Sequence, residues 1–168
     1  MVAFSFFIFF AYICEKISNK MKYYVIAGEP SGDLHGGKLM RGIAKCDSNA
    51  EFRFCGGDLM AHTGGEQNML YHYTQMSFFG FVQVAMNLRT IFRQMDDVKA
   101  DIERFNPDVI ILIDYPAFNL RIAKWAKSRN IRVYYYIAPK VWAWKERRVK
   151  KLRRYVDRLY TIFPFETA

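Results

Sequence analysis

The run Tyr23–Ala27 (YYVIA) is apolar and rich in β-forming residues, and it breaks off at Gly28, Pro30 and Gly32. A short apolar run closed by turn residues predicts a strand. Leu34–Ala44 then follows a helical pattern, with Ser31 or Asp33 placed to cap its first turn, so the two segments form a βα unit. Phe52–Cys55 reads as a second strand running into Gly56-Gly57, and Met69–Tyr73 as a third. From Phe81 the period changes. Leu88, Ile91, Phe92, Met95, Val98, Ile102 and Phe105 recur at intervals of three and four, while Arg89, Arg93, Asp96, Lys99 and Glu103 fall between them. That spacing predicts helix, divided in two near Asn87 and stopped by Asn106-Pro107. Val109–Ile113 (VIILI) is apolar at every position, as in a strand covered on both faces, and Asp114 ends it. Phe118–Ser128 reads as helix and Val133–Ile137 as a buried strand. Val141–Tyr155 reads as a basic helix with an apolar stripe at Val149, Leu152 and Val156, and Arg158–Ile162 as a last strand before Phe163-Pro164-Phe165-Glu166.

Strands alternating with helices of this length imply right-handed βαβ crossovers and a parallel sheet, so the predicted class is α/β, doubly wound and Rossmann-like. The 168 residues are 52% hydrophobic and 24% charged, which excludes a disordered chain, and no internal repeat or low-complexity linker appears. One domain is expected over residues 21–168, preceded by an apolar extension, residues 1–20. Val2–Ile13 is almost wholly apolar, but as a helix it would reach only about 18 Å, short of a bilayer core of about 30 Å. The basic residues Lys16 and Lys20 follow that run, whereas a secretory signal carries its positive charge in front. Met21 opens a more natural start for an α/β domain, and a membrane-touching segment is the alternative reading of residues 1–20. Cys14, Cys46 and Cys55 make neither an even framework nor a paired CxxC spacing, so they are expected to be inert thiols in a reducing compartment, with no structural zinc.

The net charge of +9 is concentrated at one end: residues 121–168 hold 14 Lys and Arg against three acids, and the rest of the chain is close to neutral. A basic third on a near-neutral body suits an anionic partner, whether nucleic acid, a membrane surface or a phosphorylated substrate; a solvated helix face is the plain alternative. Arg147, Arg148, Lys150, Lys151, Arg153 and Arg154 cover most of one helix surface just after the aromatic stretch Tyr134–Trp144. Aromatic and basic residues interleaved in this way can stack on bases or sugar rings or meet anionic lipid.

Ligands of such a sheet gather at the carboxyl ends of its strands. After the first strand stand Glu29, Ser31, Gly32 and Asp33, where small residues let a ligand approach the backbone and helix N–H groups favour an anion or a sugar hydroxyl. A tight turn with a capped helix accounts for the same residues, and neither a Walker loop nor a GxGxxG fingerprint is present. Asp114 follows five apolar residues at the mouth of a buried strand, where partial desolvation raises a carboxyl pKa and makes a proton acceptor. It could equally cap the next helix, and Asn119 either binds a hydroxyl or caps.

Taken in order, AGEPSGDLHG, CGGDLM, FFGFVQV, PDVIILIDYPAFNLRIAK and YYIAPKVWAWKERRVKKLRRYVDRLYTIFPFE resemble the N-terminal half of the lipid-A-disaccharide synthase family, from Met21 to Glu166. The resemblance implies a bacterial, inverting GT-B glycosyltransferase without an obligatory metal or other cofactor. It would be cytoplasmic and peripheral on the inner face of the inner membrane. Its substrates would be UDP-2,3-diacylglucosamine and 2,3-diacylglucosamine 1-phosphate, and its products lipid A disaccharide phosphate and UDP. On that reading Asp114 is the base, Glu29, Ser31, Gly32, Asp33 and Asn119 bind substrate, and Phe78, Phe79, Phe81 and Val82 receive acyl chains or enter the bilayer. Arg147, Arg148 and Lys151 would meet anionic lipid, with no nucleic acid expected. Two departures stand out: Ala117 occupies a position where the family usually has an acid, and the chain stops where the resemblance implies a second, nucleotide-sugar domain. The fragment alone is therefore expected to be inactive. A non-catalytic basic Rossmann-like module, binding anionic membrane or nucleic acid, is the alternative function.

Overall fold

The computed structural model describes residues 20–76, 88–137 and 146–160, the side chains of the last stretch from residue 149 onward. Residues 1–19, Phe78, Phe79, Phe81, Val82, the segment 138–145 and the Phe163–Glu166 motif lie outside the described residues, as do the side chains of Arg147 and Arg148.

Six strands form one all-parallel sheet: β1 Lys22–Ala27, β2 Glu51–Gly56, β3 Met69–His72, β4 Val109–Ile113, β5 Arg132–Tyr136 and β6 Arg158–Tyr160. Their order is β3-β2-β1-β4-β5-β6, the doubly wound arrangement. The helices are α1 Pro30–Cys46, α2 Asp58–Gly64, α3 Tyr73–Met76, α4 Leu88–Phe105, α5 Pro116–Ser128 and α6 Glu146–Tyr155, with a 3₁₀ turn at Glu66–Asn68. All five residues of β4 are buried, as its unbroken apolar run requires.

Side chains alternate across the sheet into two cores. Tyr24, Ile26, Ile110, Leu112 and Tyr135 pack with Met95, Val98 and Ile102 of α4, Phe118 and Ile122 of α5 and Leu152 of α6. Tyr23, Val25, Ala27, Ile111 and Ile113 pack on the other face with Leu39, Met40 and Ile43 of α1 and Met60 of α2. On the α4 side one buried carboxylate anchors the core: Asp101 accepts from the Tyr24 hydroxyl at 2.9 Å and from Arg53 Nε at 2.8 Å.

The periodic stripe of α4 is not buried throughout: its first turns leave Leu88 46% and Phe92 49% exposed, with Arg121 lying over the Phe92 ring. A period identifies a helix face but not how far that face runs past its partner. Nor are the cysteines all inert thiols: Cys55 is buried and free, its thiol pushed up to about 12 by desolvation, but Cys46 is disulfide-bonded. The backbone entering β1 passes the end of α1 that carries Cys46, since Lys20 N and Met21 N both donate to the Asp47 carboxylate.

Candidate functional site

Helix α1 leaves the end of β1 toward one face of the sheet and α5 leaves β4 toward the other, so the order reverses between these two neighbours. Outside the carboxyl ends of such a pair, an open α/β sheet has its ligand crevice. Ala27 and Ile113 are register partners at the ends of β1 and β4, so Glu29 and Asp114 enter the crevice from adjacent strands. The two carboxyls sense each other. Desolvation first, and the negative charge of Asp114 second, push the Glu29 carboxyl above its ordinary value, and Glu29 in turn adds to the burial that raises the Tyr115 phenol.

Helix α1 begins earlier than its apolar spacing suggested, because Pro30 supplies a preset φ for the first helical residue. Glu29 is its N-cap residue in extended conformation, and the carboxylate makes no capping bond. Neither Ser31 nor Asp33 caps this helix, which corrects the expectation. Asp33 instead reaches the next βα turn, accepting from Gly57 N at 2.8 Å and from Leu59 N and Met60 N at 3.1 Å, so it caps α2. Ser31 is exposed on the first turn of α1, while Gly32 is buried where an added Cβ would come within 3.1 Å of the Ala27 side chain. The open side of Gly28 is also filled: a Cβ there would lie 2.5 Å from the Tyr115 ring.

Asp114 does not cap α5 either; Tyr115 is the N-cap residue, with no side-chain capping bond. Asp114 and Tyr115 both lie in the left-handed region, at φ 44 and 46. A non-glycine residue in that region costs on the order of 1–3 kcal/mol, so the turn persists only because its surroundings fix it. Asn119, fully buried, donates from Nδ2 to the Asp114 carbonyl at 2.8 Å and to the Ile113 carbonyl at 3.2 Å. The Tyr135 hydroxyl donates to the same Asp114 carbonyl, Asp114 N donates to Tyr136 O, and the Tyr115 hydroxyl holds Met76 O at 2.8 Å. Ala117 is exposed one turn further on.

Of the predicted site residues, Glu29 and Asp114 are thus brought near each other, Ser31 stands exposed on the first turn of α1, and Gly32, Asp33 and Asn119 are buried in the helices that follow the two turns. Lys151, Lys150, Arg153 and Arg154 are exposed on α6, away from the buried Leu152. Sequence reasoning missed His35. Its ring meets Tyr136, the last residue of β5, edge-on at 6.2 Å, and burial followed by the nearby Lys38 charge lowers its pKa. The signal was available, since His35 stands one helical turn after Ser31. Among the described residues no group of three or more His, Cys, Asp or Glu is placed to hold a metal ion, and no helix is long and apolar enough to cross a membrane.

Fold and crevice together define a Rossmann-type α/β domain with an acidic switch-point site. Its fold resembles that of a putative UDP-N-acetylglucosamine 2-epimerase from Listeria monocytogenes, with a TM-score of 0.55 at 12% identity over 84% of this chain and 38% of the other. Residues 23–168 match the family model described as lipid-A-disaccharide synthetase, and the chain belongs to that family. It is 42% identical over 142 residues to a lipid-A-disaccharide synthase from Geobacter metallireducens, covering 84% of this chain and 36% of the relative. To one from Coxiella burnetii it is 37% identical over 150 residues, covering 89% and 39%. The chain therefore spans well under half the length of the curated relatives it matches.

Proposed function

We propose that this chain forms the acceptor-side part of a lipid-A-disaccharide synthase. The enzyme joins UDP-2,3-diacylglucosamine to 2,3-diacylglucosamine 1-phosphate. The observation that supports this reading best is the placement of Asp114 beside Glu29 in the switch-point crevice of a chain belonging to this family. Asp114 accepts the proton of the acceptor hydroxyl as that oxygen bonds to the anomeric carbon of the donor sugar. The bond from that carbon to UDP breaks, UDP departs with the electron pair, and the configuration inverts. Glu29 and Ser31, at the start of α1, orient sugar hydroxyls, with Gly32 packed beneath that first turn, Asp33 tying α1 to the start of α2 and Asn119 holding the Asp114 turn. The diphosphate calls for cationic or N–H groups, which fall to the second, nucleotide-sugar domain.

In a chain extended to the full length of its relatives, Asp114→Asn should lower kcat by about 10²–10⁴-fold with little change in thermal midpoint, as loss of a general base does. Near-normal kcat would remove Asp114 from the mechanism. The 168-residue chain by itself should release no UDP when given both lipid substrates; release dependent on both would refute the need for a second domain.

The reading extends to a bilayer, since the substrates are acylated. The exposed Leu88 and Phe92, with Arg89 and Arg93 exposed on the same turns of α4 and Arg121 over the Phe92 ring, come later in the chain than the Phe78, Phe79, Phe81 and Val82 segment that we assign to acyl or membrane contact. Lys151, exposed with Lys150, Arg153 and Arg154, adds a basic face suited to anionic lipid on the inner surface of the inner membrane, and we assign Arg147 and Arg148 to the same contact from their sequence alone.

A further inference from the structure

Tyr135 is fully buried, opposite Leu112 in the β4–β5 register and two residues short of Asp114 along the strand direction. Its ring belongs to the core on the α4 side, where any large apolar residue would fill the space. Its hydroxyl does something packing does not require: it reaches the carboxyl edge and donates to the carbonyl oxygen of Asp114. Asn119 Nδ2 donates to that same oxygen, so both of its lone pairs are used. On the other side of the residue, Asp114 N is held by Tyr136 O. The peptide groups before and after Asp114 are thereby fixed, and with them the direction of its Cα–Cβ bond. Without such clamping, two successive left-handed non-glycine residues would relax toward the broad allowed regions, and the carboxylate would swing away from Glu29.

We infer that Tyr135 is a positioning residue for the reaction, acting through the Asp114 carbonyl to aim the Asp114 carboxylate. This rests on the general-base reading given above. Asn119 is the second half of the clamp.

The test is a mutant cycle in the full-length enzyme. Tyr135→Phe keeps the ring in the core and removes only the donor. It should lower kcat about tenfold with KM for both substrates unchanged, and in an Asp114→Asn background it should lower kcat no further. A merely structural role would cost the same factor in either background. A wild-type kcat for Tyr135→Phe, or an equal loss added to Asp114→Asn, overturns the inference while leaving the general base in place. A near-normal kcat for Asp114→Asn alone would instead sink the general-base reading and this inference with it. Asn119→Ser, which removes the other donor to the same carbonyl, carries the same criteria should Tyr135→Phe fail to fold.

Discussion

At the scale of single residues, the crevice sets Glu29 beside residues, Asn119 and Tyr135 among them, whose side chains bond the backbone of the neighbouring turn. Glu29 makes no capping bond, although it occupies a capping position, and it is partly desolvated beside a second carboxyl. Folding therefore brings it from water, where it ionises near its ordinary value of 4.5, to a place where the proton is held more tightly. The sign follows directly. A carboxyl whose folded pKa is raised binds more protons in the native state, so its contribution to stability is full below the ordinary value and is lost as pH rises through the interval above it. Glu29→Gln should raise the thermal midpoint at pH 7 and give no gain near pH 4; a loss at pH 7 would mean that the ionised carboxylate is stabilised by a partner. The place of Asp114 at the carboxyl end of β4 was legible because a single carboxylate closes a run of five apolar positions. The roles of Asp33 and Tyr135 were not. The N–H groups that Asp33 accepts lie 24 to 27 residues along the chain, and Tyr135, within a run of three tyrosines, has the pattern of ordinary core.

At the scale of elements, the positions and types of the strands followed from the period of the sequence, since β4 is the predicted VIILI run without a residue added or lost. Helix starts were read less well. Propensity placed the beginning of α1 at Leu34, whereas Pro30 opens the helix a full turn earlier and leaves Asp33 inside it, facing the next loop. That displacement has an energetic consequence. One carboxylate satisfies three backbone donors at the start of α2, an element of only seven residues that has no side-chain cap on its own N-cap residue, Gly57. Asp33→Ala should cost on the order of 3 kcal/mol in urea unfolding, because it strands buried N–H groups as well as removing charge-assisted bonds. Asp33→Asn, which keeps an acceptor, should cost clearly less. Equal costs for the two variants would show that the charge, rather than the acceptor geometry, holds the two loops together.

At the scale of the whole molecule, the asymmetry of charge and the exposed apolar turn of α4 suit the bilayer contact proposed above. Residues 121–168 carry a net +11, and Lys150, Lys151, Arg153 and Arg154 present their charge to solvent. Near an anionic surface each such side chain contributes about 1 kcal/mol, screened beyond roughly 8–10 Å at physiological salt, so several together give a reversible and salt-sensitive attachment. Apolar burial is not screened, and Leu88 and Phe92 offer it independently of charge. We predict that a chain starting at Met21, and so lacking the apolar residues 1–20, sediments with vesicles containing phosphatidylglycerol and much less with neutral ones. Raising the salt should release most of it while leaving a residue that Phe92→Ser and Leu88→Ser abolish. Equal binding to neutral and anionic vesicles would remove the basic face as the attractor, and binding to neither would reduce that face to a solvated surface. Tighter binding to an oligonucleotide than to anionic vesicles at matched salt would favour the nucleic-acid module over the synthase's membrane-facing half.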